Sequence, residues 1–123
     1  MAMAPTILIV EDERMIAEYF KIIVEHLGYP VCGIAGTADE AVRLAREEDP
    51  DIVFMDVRLE GKKDGVDAAN EICAHKPVPT VFITASREPA TIDRINTDHP
   101  SAILIKPVLQ EQLRDVLTRL CPP

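Results

Sequence analysis

The sequence lacks any long hydrophobic run, and this shortage argues against a membrane-spanning segment. None of its apolar runs approaches the length of about 18 residues that a transmembrane helix requires. Residues 1–5 also lack the basic region and apolar core that mark a secretory signal peptide. We therefore expect a cytoplasmic protein that makes no membrane contact.

Cysteines and basic residues are also few, and each shortage excludes a class of function. Cys32, Cys73 and Cys121 are odd in number and widely spaced, with no CxxC pair, so we expect reduced thiols rather than disulfides or a zinc site. The 13 basic residues stand against 21 acidic ones, a formal net charge of −8. Direct binding to nucleic acid is not expected, because it needs a basic face. The acidic excess instead favours cations.

What is present is a repeated alternation of strand-like and helix-like patterns. Apolar runs of strand length are separated by segments in which apolar residues recur at three- and four-residue steps. The predicted strands are Thr6–Val10, Val31–Ala35, Ile52–Met55 leading into Asp56, Thr80–Thr84 and Ala102–Ile105. This alternation predicts an α/β fold, a parallel sheet with helices on both faces, since each crossover must cover the sheet. With no linker or repeat, we expect a single domain over 1–123 with a core at about 6–120.

Short local signals mark the ends of some helices. Gly28 follows an apolar helical stripe and predicts a C-terminal cap. Thr37 and Glu40 are spaced as in a capping box, in which both side chains bind free amides. The fourth helix has the weakest pattern, because Ile92 and Ile95 are its only large apolar residues.

Polar residues of complementary chemistry stand where four of the strands end. Glu11 and Asp12 follow the first strand, Asp56 ends the third, Thr84 ends the fourth and Lys106 follows the fifth. In a doubly wound sheet, ligands bind beyond the carboxyl ends of the strands. Carboxylates meeting there would raise each other's pKa unless a cation lay between them. The pattern therefore predicts a divalent metal site.

Magnesium, or manganese in its place, suits such a site, since Mg²⁺ takes one or two carboxylates and leaves positions for a phosphoryl oxygen. Asp12 and Asp56 would supply these ligands, with Glu11 in support. Asp56 could attack phosphorus to give an aspartyl phosphate, a reaction that the metal would assist. Lys106 and Thr84 would bind other phosphoryl oxygens.

Each of these residues also has an ordinary structural interpretation. The acidic pair could cap a helix, where its charge complements the helix dipole. Thr84 could be a β-branched strand residue, Lys106 a surface lysine and Asp56 a loop-opening aspartate. These interpretations weaken jointly, because four independent accidents would have to fall at the same edge of one sheet.

The chain resembles the receiver domain of response regulators in two-component signalling, over almost its whole length. The matching motifs are Ile7–Glu13 for the first strand and acidic pocket, Asp56 for the phosphoacceptor, Thr84-Ala85 for the hydroxyl and small residue, and Lys106-Pro107 for the lysine–proline pair.

The resemblance implies a flavodoxin-like, five-stranded sheet of order 2-1-3-4-5. It also implies that Asp12, Asp56 and the backbone carbonyl of Arg58 ligate Mg²⁺, that Lys106 and Thr84 bind the phosphoryl group, and that the Lys106-Pro107 bond is cis. The phosphoryl donor would be a histidine kinase or a histidine phosphotransfer protein. A receiver promotes only its own phosphorylation and dephosphorylation, so no enzymatic turnover of other substrates is expected.

Two segments refine this resemblance. Many receivers carry an aromatic residue on the fifth strand that swings inward when the threonine binds phosphate, but Ile103 stands at that position. The usual aromatic coupling is therefore not expected. Pro79–Ala85 is similar, in a looser form, to a Phe-Ala-Thr-Gly stretch found in a receiver subgroup of alphaproteobacterial general stress signalling.

Other functions remain as alternatives. A flavodoxin-like binder of nucleotide or flavin would share the sheet, but the acidic loop after the first strand would repel a phosphate not bridged by metal. A phosphohydrolase of the aspartyl-phosphate type would need a second aspartate two residues after Asp56, where Arg58 stands. The chain could be a stand-alone regulator acting by protein contact, a phosphate sink, or a receiver cut from a larger protein.

Overall fold

The computed structural model describes residues 4–97 and 100–120 and contains the predicted alternation of strands and helices. The strands are β1 (Ile7–Val10), β2 (Val31–Ala35), β3 (Ile52–Asp56), β4 (Thr80–Thr84) and β5 (Ala102–Ile105). The helices are α1 (Arg14–His26), α2 (Ala38–Glu48), α3 (Gly65–His75), α4 (Pro89–Asn96) and α5 (Gln110–Leu120).

The five strands form one parallel sheet in the order β2-β1-β3-β4-β5, which confirms the predicted flavodoxin-like topology. Strand order reverses beside β1, which pairs with both β2 and β3. In register, Val10 lies opposite Met55, Asp56 opposite Ile83, and Thr84 opposite Ile105. The ends of four strands therefore lie at one edge, beside the switch point where such folds bind ligands.

Alternate side chains of the strands enter two separate cores. Leu8, Met55 and Phe82 pack with residues of α2, α3 and α4 on one face. Ile9 and Phe54 pack with α1 and α5 on the other. Because both faces are covered, the inner strands are apolar at almost every position, and β3 is buried throughout.

The predicted caps are present, with one difference. Gly28 has φ +100°, and its amide and that of Tyr29 bind the carbonyls of Glu25 (3.0 Å) and Val24 (2.9 Å), an arrangement that closes α1. Thr37 Oγ1 accepts from the Glu40 amide at 3.1 Å, as expected for α2. The Glu40 carboxylate, however, accepts from the Gly36 amide (2.8 Å) rather than from that of Thr37.

Helix α4 has the weakest apolar anchorage, as its sequence pattern predicts. Ile95 is buried, and Ile92 packs only partly against the same core. Within the described residues, every helix is too short or too polar to span a bilayer. Cys32 and Cys73 are free thiols, and Cys121 lies outside the described residues.

Candidate phosphoacceptor site

Three carboxylates converge at the carboxyl edge of the sheet. Glu11 and Asp12 directly follow β1, and Asp56 is the last residue of the neighbouring β3. One oxygen from each lies within 4.8 Å of those of the other two. The Glu11 and Asp56 side chains are only 1% and 8% exposed, whereas Asp12 is exposed. The edge thus carries two buried carboxylates and one that faces solvent.

Lys106 bridges the two buried carboxylates. Its Nζ lies 2.7 Å from Glu11 Oε1 and 3.3 Å from Asp56 Oδ2. Its backbone amide donates to the Thr84 carbonyl (2.9 Å), which positions the residue at the end of β5. The Lys106-Pro107 bond is cis, as the resemblance implied. The lysine therefore brings a positive charge to the phosphoacceptor position from a strand that does not neighbour β3.

The pKa values of two groups are shifted by this packing. Partial burial alone would lower the pKa of Lys106, but the hydrogen bond to Glu11 and the charges of Asp56 and Glu11 outweigh it, so the pKa is raised. The pKa of Asp12 is also raised, first because its carboxylate is partly desolvated and then because Glu11 lies beside it. The lysine thus stays charged, and its charge offsets only part of the desolvation and repulsion that raise the pKa of Asp12.

Thr84 ends β4 with its side chain buried beside the cleft. Its Oγ1 accepts a hydrogen bond from the Ser86 amide at 3.1 Å. A hydroxyl both donates and accepts, so this bond leaves the hydroxyl hydrogen for a further acceptor. Thr84 can therefore act as the donor that the sequence predicted.

Arg58 lies two residues beyond Asp56 and lines the same cleft. Its backbone amide donates to Asp56 Oδ1 at 3.3 Å, so the carboxylate is held by the amide on one oxygen and by Lys106 on the other. The use of the Arg58 carbonyl as a metal ligand stays a prediction.

A cleft of about 580 Å³ opens over these residues. Its lining consists mainly of charged and hydroxyl side chains from the ends of β1, β3, β4 and β5 and from the start of α4: Asp12, Glu13, Asp56, Arg58, Thr84, Ser86, Arg87, Glu88, Thr91 and Lys106. Pockets for flavins and similar ligands are lined predominantly by apolar and aromatic side chains. The lining therefore suits a small, highly charged group.

Sequence reasoning missed Gly65, the first residue of α3. A Cβ built on Gly65 would lie 2.0 Å from the carbonyl oxygen of Asp56, and the Gly65 amide donates to the Val57 carbonyl at 2.7 Å. Only a glycine allows α3 to approach the phosphoacceptor strand so closely. No local signal indicates this, since the requirement comes from a residue nine positions earlier in the chain.

Known proteins share much of this sequence. The family model for the response regulator receiver domain matches residues 7–118. The transcriptional regulatory protein PdtaR of Mycobacterium tuberculosis is 38% identical over 101 residues, which cover 82% of this chain and 49% of PdtaR. The phyllosphere-induced regulator PhyR of Methylorubrum extorquens is 42% identical over 87 residues, covering 70% of this chain and 33% of PhyR. The chain thus spans half or less of these curated relatives.

A solved structure shows the same fold. The signal receiver domain of a modulated diguanylate cyclase from Desulfovibrio desulfuricans G20 superposes with a TM-score of 0.89 at 38% identity. The match covers 95% of this chain and 93% of that one.

Proposed function

The chain belongs to the response regulator receiver domain family, and from this premise we propose that Asp56 is its phosphoacceptor and that the phosphorylated protein signals through protein contacts. The observation that carries the proposal is the setting of Asp56: a buried carboxylate, held by Lys106 and the Arg58 amide, at a polar cleft. A structural aspartate has no need of that cleft.

In the proposed reaction, a carboxylate oxygen of Asp56 attacks the phosphorus of a phosphohistidine. The new O–P bond forms as the P–N bond breaks, and the electron pair of that bond stays on the imidazole nitrogen. Lys106 Nζ, already 3.3 Å from Asp56 Oδ2, would bind one phosphoryl oxygen. Thr84, with its hydroxyl hydrogen available, would bind another.

Receiver domains generally bind Mg²⁺, and the donor set here fits that ion or Mn²⁺. Three carboxylate oxygens from Glu11, Asp12 and Asp56 lie within 4.8 Å of one another, and Asp12 faces solvent. We assign Asp12 and Asp56 as direct ligands with the Arg58 carbonyl, and Glu11 as a support. When bound, the metal would neutralise negative charge on the phosphoryl oxygens. Its positive charge would also offset the desolvation and the repulsion from Glu11 that raise the pKa of Asp12.

A receiver implies a kinase or phosphotransfer partner, and we propose a histidine kinase or a histidine phosphotransfer protein as the phosphoryl donor. Turnover of external phosphate esters is disfavoured, because Arg58 stands where a phosphohydrolase of this type places its acid–base aspartate. A phosphate sink uses the same chemistry at Asp56 but needs no partner that recognises the phosphorylated form.

The phosphoacceptor assignment is tested by intact-mass spectrometry after incubation with acetyl phosphate and Mg²⁺. The wild type is expected to gain one phosphoryl group, and Asp56→Asn none, because the amide cannot form the acyl phosphate. Asp115→Asn, an exposed substitution on α5, serves as the control and should behave as the wild type. A phosphoryl gain by Asp56→Asn equal to that of the wild type would refute the assignment.

Signalling and sink functions are separated by a binding experiment. Candidate partners are captured on protein treated with beryllofluoride, a phosphoryl mimic, and on untreated protein. Signalling by contact predicts at least one partner whose binding depends on the treatment, whereas a sink predicts indifference of every partner.

A further inference from the structure

Helix α4 borders the cleft and depends on polar contacts for its position. Its apolar anchorage is Ile95 with partial help from Ile92, and the side chain of its N-cap residue, Glu88, makes no capping hydrogen bond to the first turn, which begins at Pro89. Two polar connections tie this helix to the site, one at each end.

The first connection runs from Thr84 to the start of α4 through Ser86. The Ser86 amide donates to Thr84 Oγ1 (3.1 Å), and Ser86 Oγ accepts from the Glu88 amide (3.2 Å) at the residue that precedes the helix. Ser86 Oγ also lies 3.4 Å from Thr91 Oγ1 in the first turn. The Thr84 hydroxyl, which is predicted to bind phosphate, is therefore connected through Ser86 to the loop that leads into α4.

The second connection runs from Arg94 to the start of α3. The guanidinium binds both oxygens of Asp64, with Nη1 on Oδ2 and Nη2 on Oδ1 at 3.2 Å, and Nη2 also binds Asp67 Oδ1 at 3.1 Å. Bidentate arginine–carboxylate contacts are strong and directional. Partial burial would raise the pKa of Asp64, but the contacts with Arg94 and with the α3 amides outweigh it, so the pKa is lowered.

The two aspartates that bind Arg94 are connected to the phosphoacceptor through the start of α3. Asp64 caps α3 by accepting from the amides of Val66 and Asp67, and Asp67 accepts from the Asp64 amide, a complete capping box. Gly65 lies between them, with its backbone against the Asp56 carbonyl and its amide on Val57. A short chain of contacts thus connects Asp56 with Arg94.

We propose that Arg94 is a positioning residue that couples helix α4 to the phosphoacceptor loop, so that occupancy of Asp56 changes how α4 is held. The inference rests on the proposed function of Asp56. A phosphoryl group adds charge and acceptor oxygens at the ends of β3 and β4, where both connections begin. On β5, Ile103 packs in the same core as Ile95 and carries neither a hydroxyl nor a ring. We therefore assign the coupling to the two polar connections and not to an aromatic switch residue.

The test compares amide hydrogen exchange of the α4 peptide with and without beryllofluoride and Mg²⁺, and fluorine NMR measures site occupancy. In the wild type, exchange of α4 amides is expected to change on occupancy. In Arg94→Ala, the site should still be occupied while the occupancy-dependent change in α4 is lost. Arg94→Lys should restore only part of this change, because lysine keeps the positive charge but its ammonium group cannot make the same bidentate contact. The readout is the difference in α4 amide exchange between protein with and without beryllofluoride. A substitution that only destabilised α4 would raise exchange in both states and leave that difference in place.

Arg43→Ala is the matched control. Arg43 on α2 also pairs with two carboxylates, Glu40 and Glu47, at similar exposure, but far along the chain from α4. Its α4 response should equal that of the wild type. If Arg94→Ala does not fold, Arg94→Gln, which keeps much of the side-chain length, is read in the same way.

Three outcomes would count against the proposals. An α4 response in Arg94→Ala equal to that of the wild type would overturn the coupling. So would occupancy of the wild-type site with no change in α4. Failure of the wild type to bind beryllofluoride at all would instead refute the function proposed for Asp56, and the coupling with it.

Discussion

Helices α3 and α4 border the same cleft but are held in contrasting ways. Helix α3 begins with a complete capping box, presses Gly65 against Asp56 and buries residues in successive turns. Helix α4 begins at a proline, within the described residues has no side-chain cap, and buries Ile95. The helix that follows the phosphoacceptor strand β3 is therefore firmly anchored, whereas the helix that follows β4, the strand of Thr84, has few stabilising contacts of its own.

The largest expected effect comes from disrupting the close packing of α3 against β3 at Gly65. In Gly65→Ala the new methyl group would lie 2.0 Å from the Asp56 carbonyl oxygen, so α3 must shift away. We expect a loss of about 1–3 kcal/mol in the free energy of unfolding, as for other overpacked sites, together with weaker beryllofluoride binding. Urea unfolding and fluorine NMR measure the two effects.

Gly36→Ala is the control for this substitution, because its added Cβ would meet nothing closer than 3.8 Å. It should leave both stability and binding close to wild type. Equal effects of the two substitutions would mean that the close approach of α3 is not what the site requires.

A smaller effect is expected from substituting the N-cap residue of each helix in turn. Asp64→Ala removes acceptors for two α3 amides as well as contacts with Arg94, so we expect a loss of about 0.5–2 kcal/mol. Glu88→Ala at the start of α4 removes no side-chain cap, and the change should stay within about 0.5 kcal/mol. Urea unfolding of both variants measures the contrast, and a larger loss for Glu88→Ala would reverse it.

The smallest effect is a dependence on pH at the contact between the two helices. The pKa of Asp64 is lowered from its ordinary value of 3.8. The ionised carboxylate therefore contributes stability that is fully present above that value and is lost as the pH falls through the folded-state pKa. The difference in unfolding free energy between the wild type and Asp64→Asn should be constant near neutral pH and shrink below pH 3.8.

Urea unfolding at a series of pH values measures this difference. In an Arg94→Ala background its decline on acidification should be weaker, because one cause of the lowered pKa is gone. A difference that grows on acidification would contradict the assignment.

The residues at the strand ends were open to prediction for a local reason. Asp56, Thr84 and Lys106 each stand at or directly after an apolar run, so the order of the strands brings them to one edge whatever the detail of their packing. The predicted cis bond at Pro107 followed from the resemblance and is present. The weak pattern of α4 likewise predicted its slight burial.

The contacts between distant segments were not open to prediction. Arg94 and Asp64 are 30 positions apart, and Lys106 and Glu11 are 95 apart. Neither separation is one of the short, periodic spacings from which a contact can be predicted. Even the local pattern at Thr37 and Glu40 left the second acceptor bond undetermined, since the carboxylate reaches Gly36 instead.

The sequence by itself therefore determined the layers, the strand edge and the chemistry gathered there, because hydrophobic periodicity and parallel topology act through near neighbours. Only the tertiary structure decided how that edge is supported: Lys106 between two buried carboxylates, Gly65 against Asp56, and Arg94 across two helices. Such contacts depend on the distance and direction between side chains brought together by folding, and these are set by how the helices pack on the sheet.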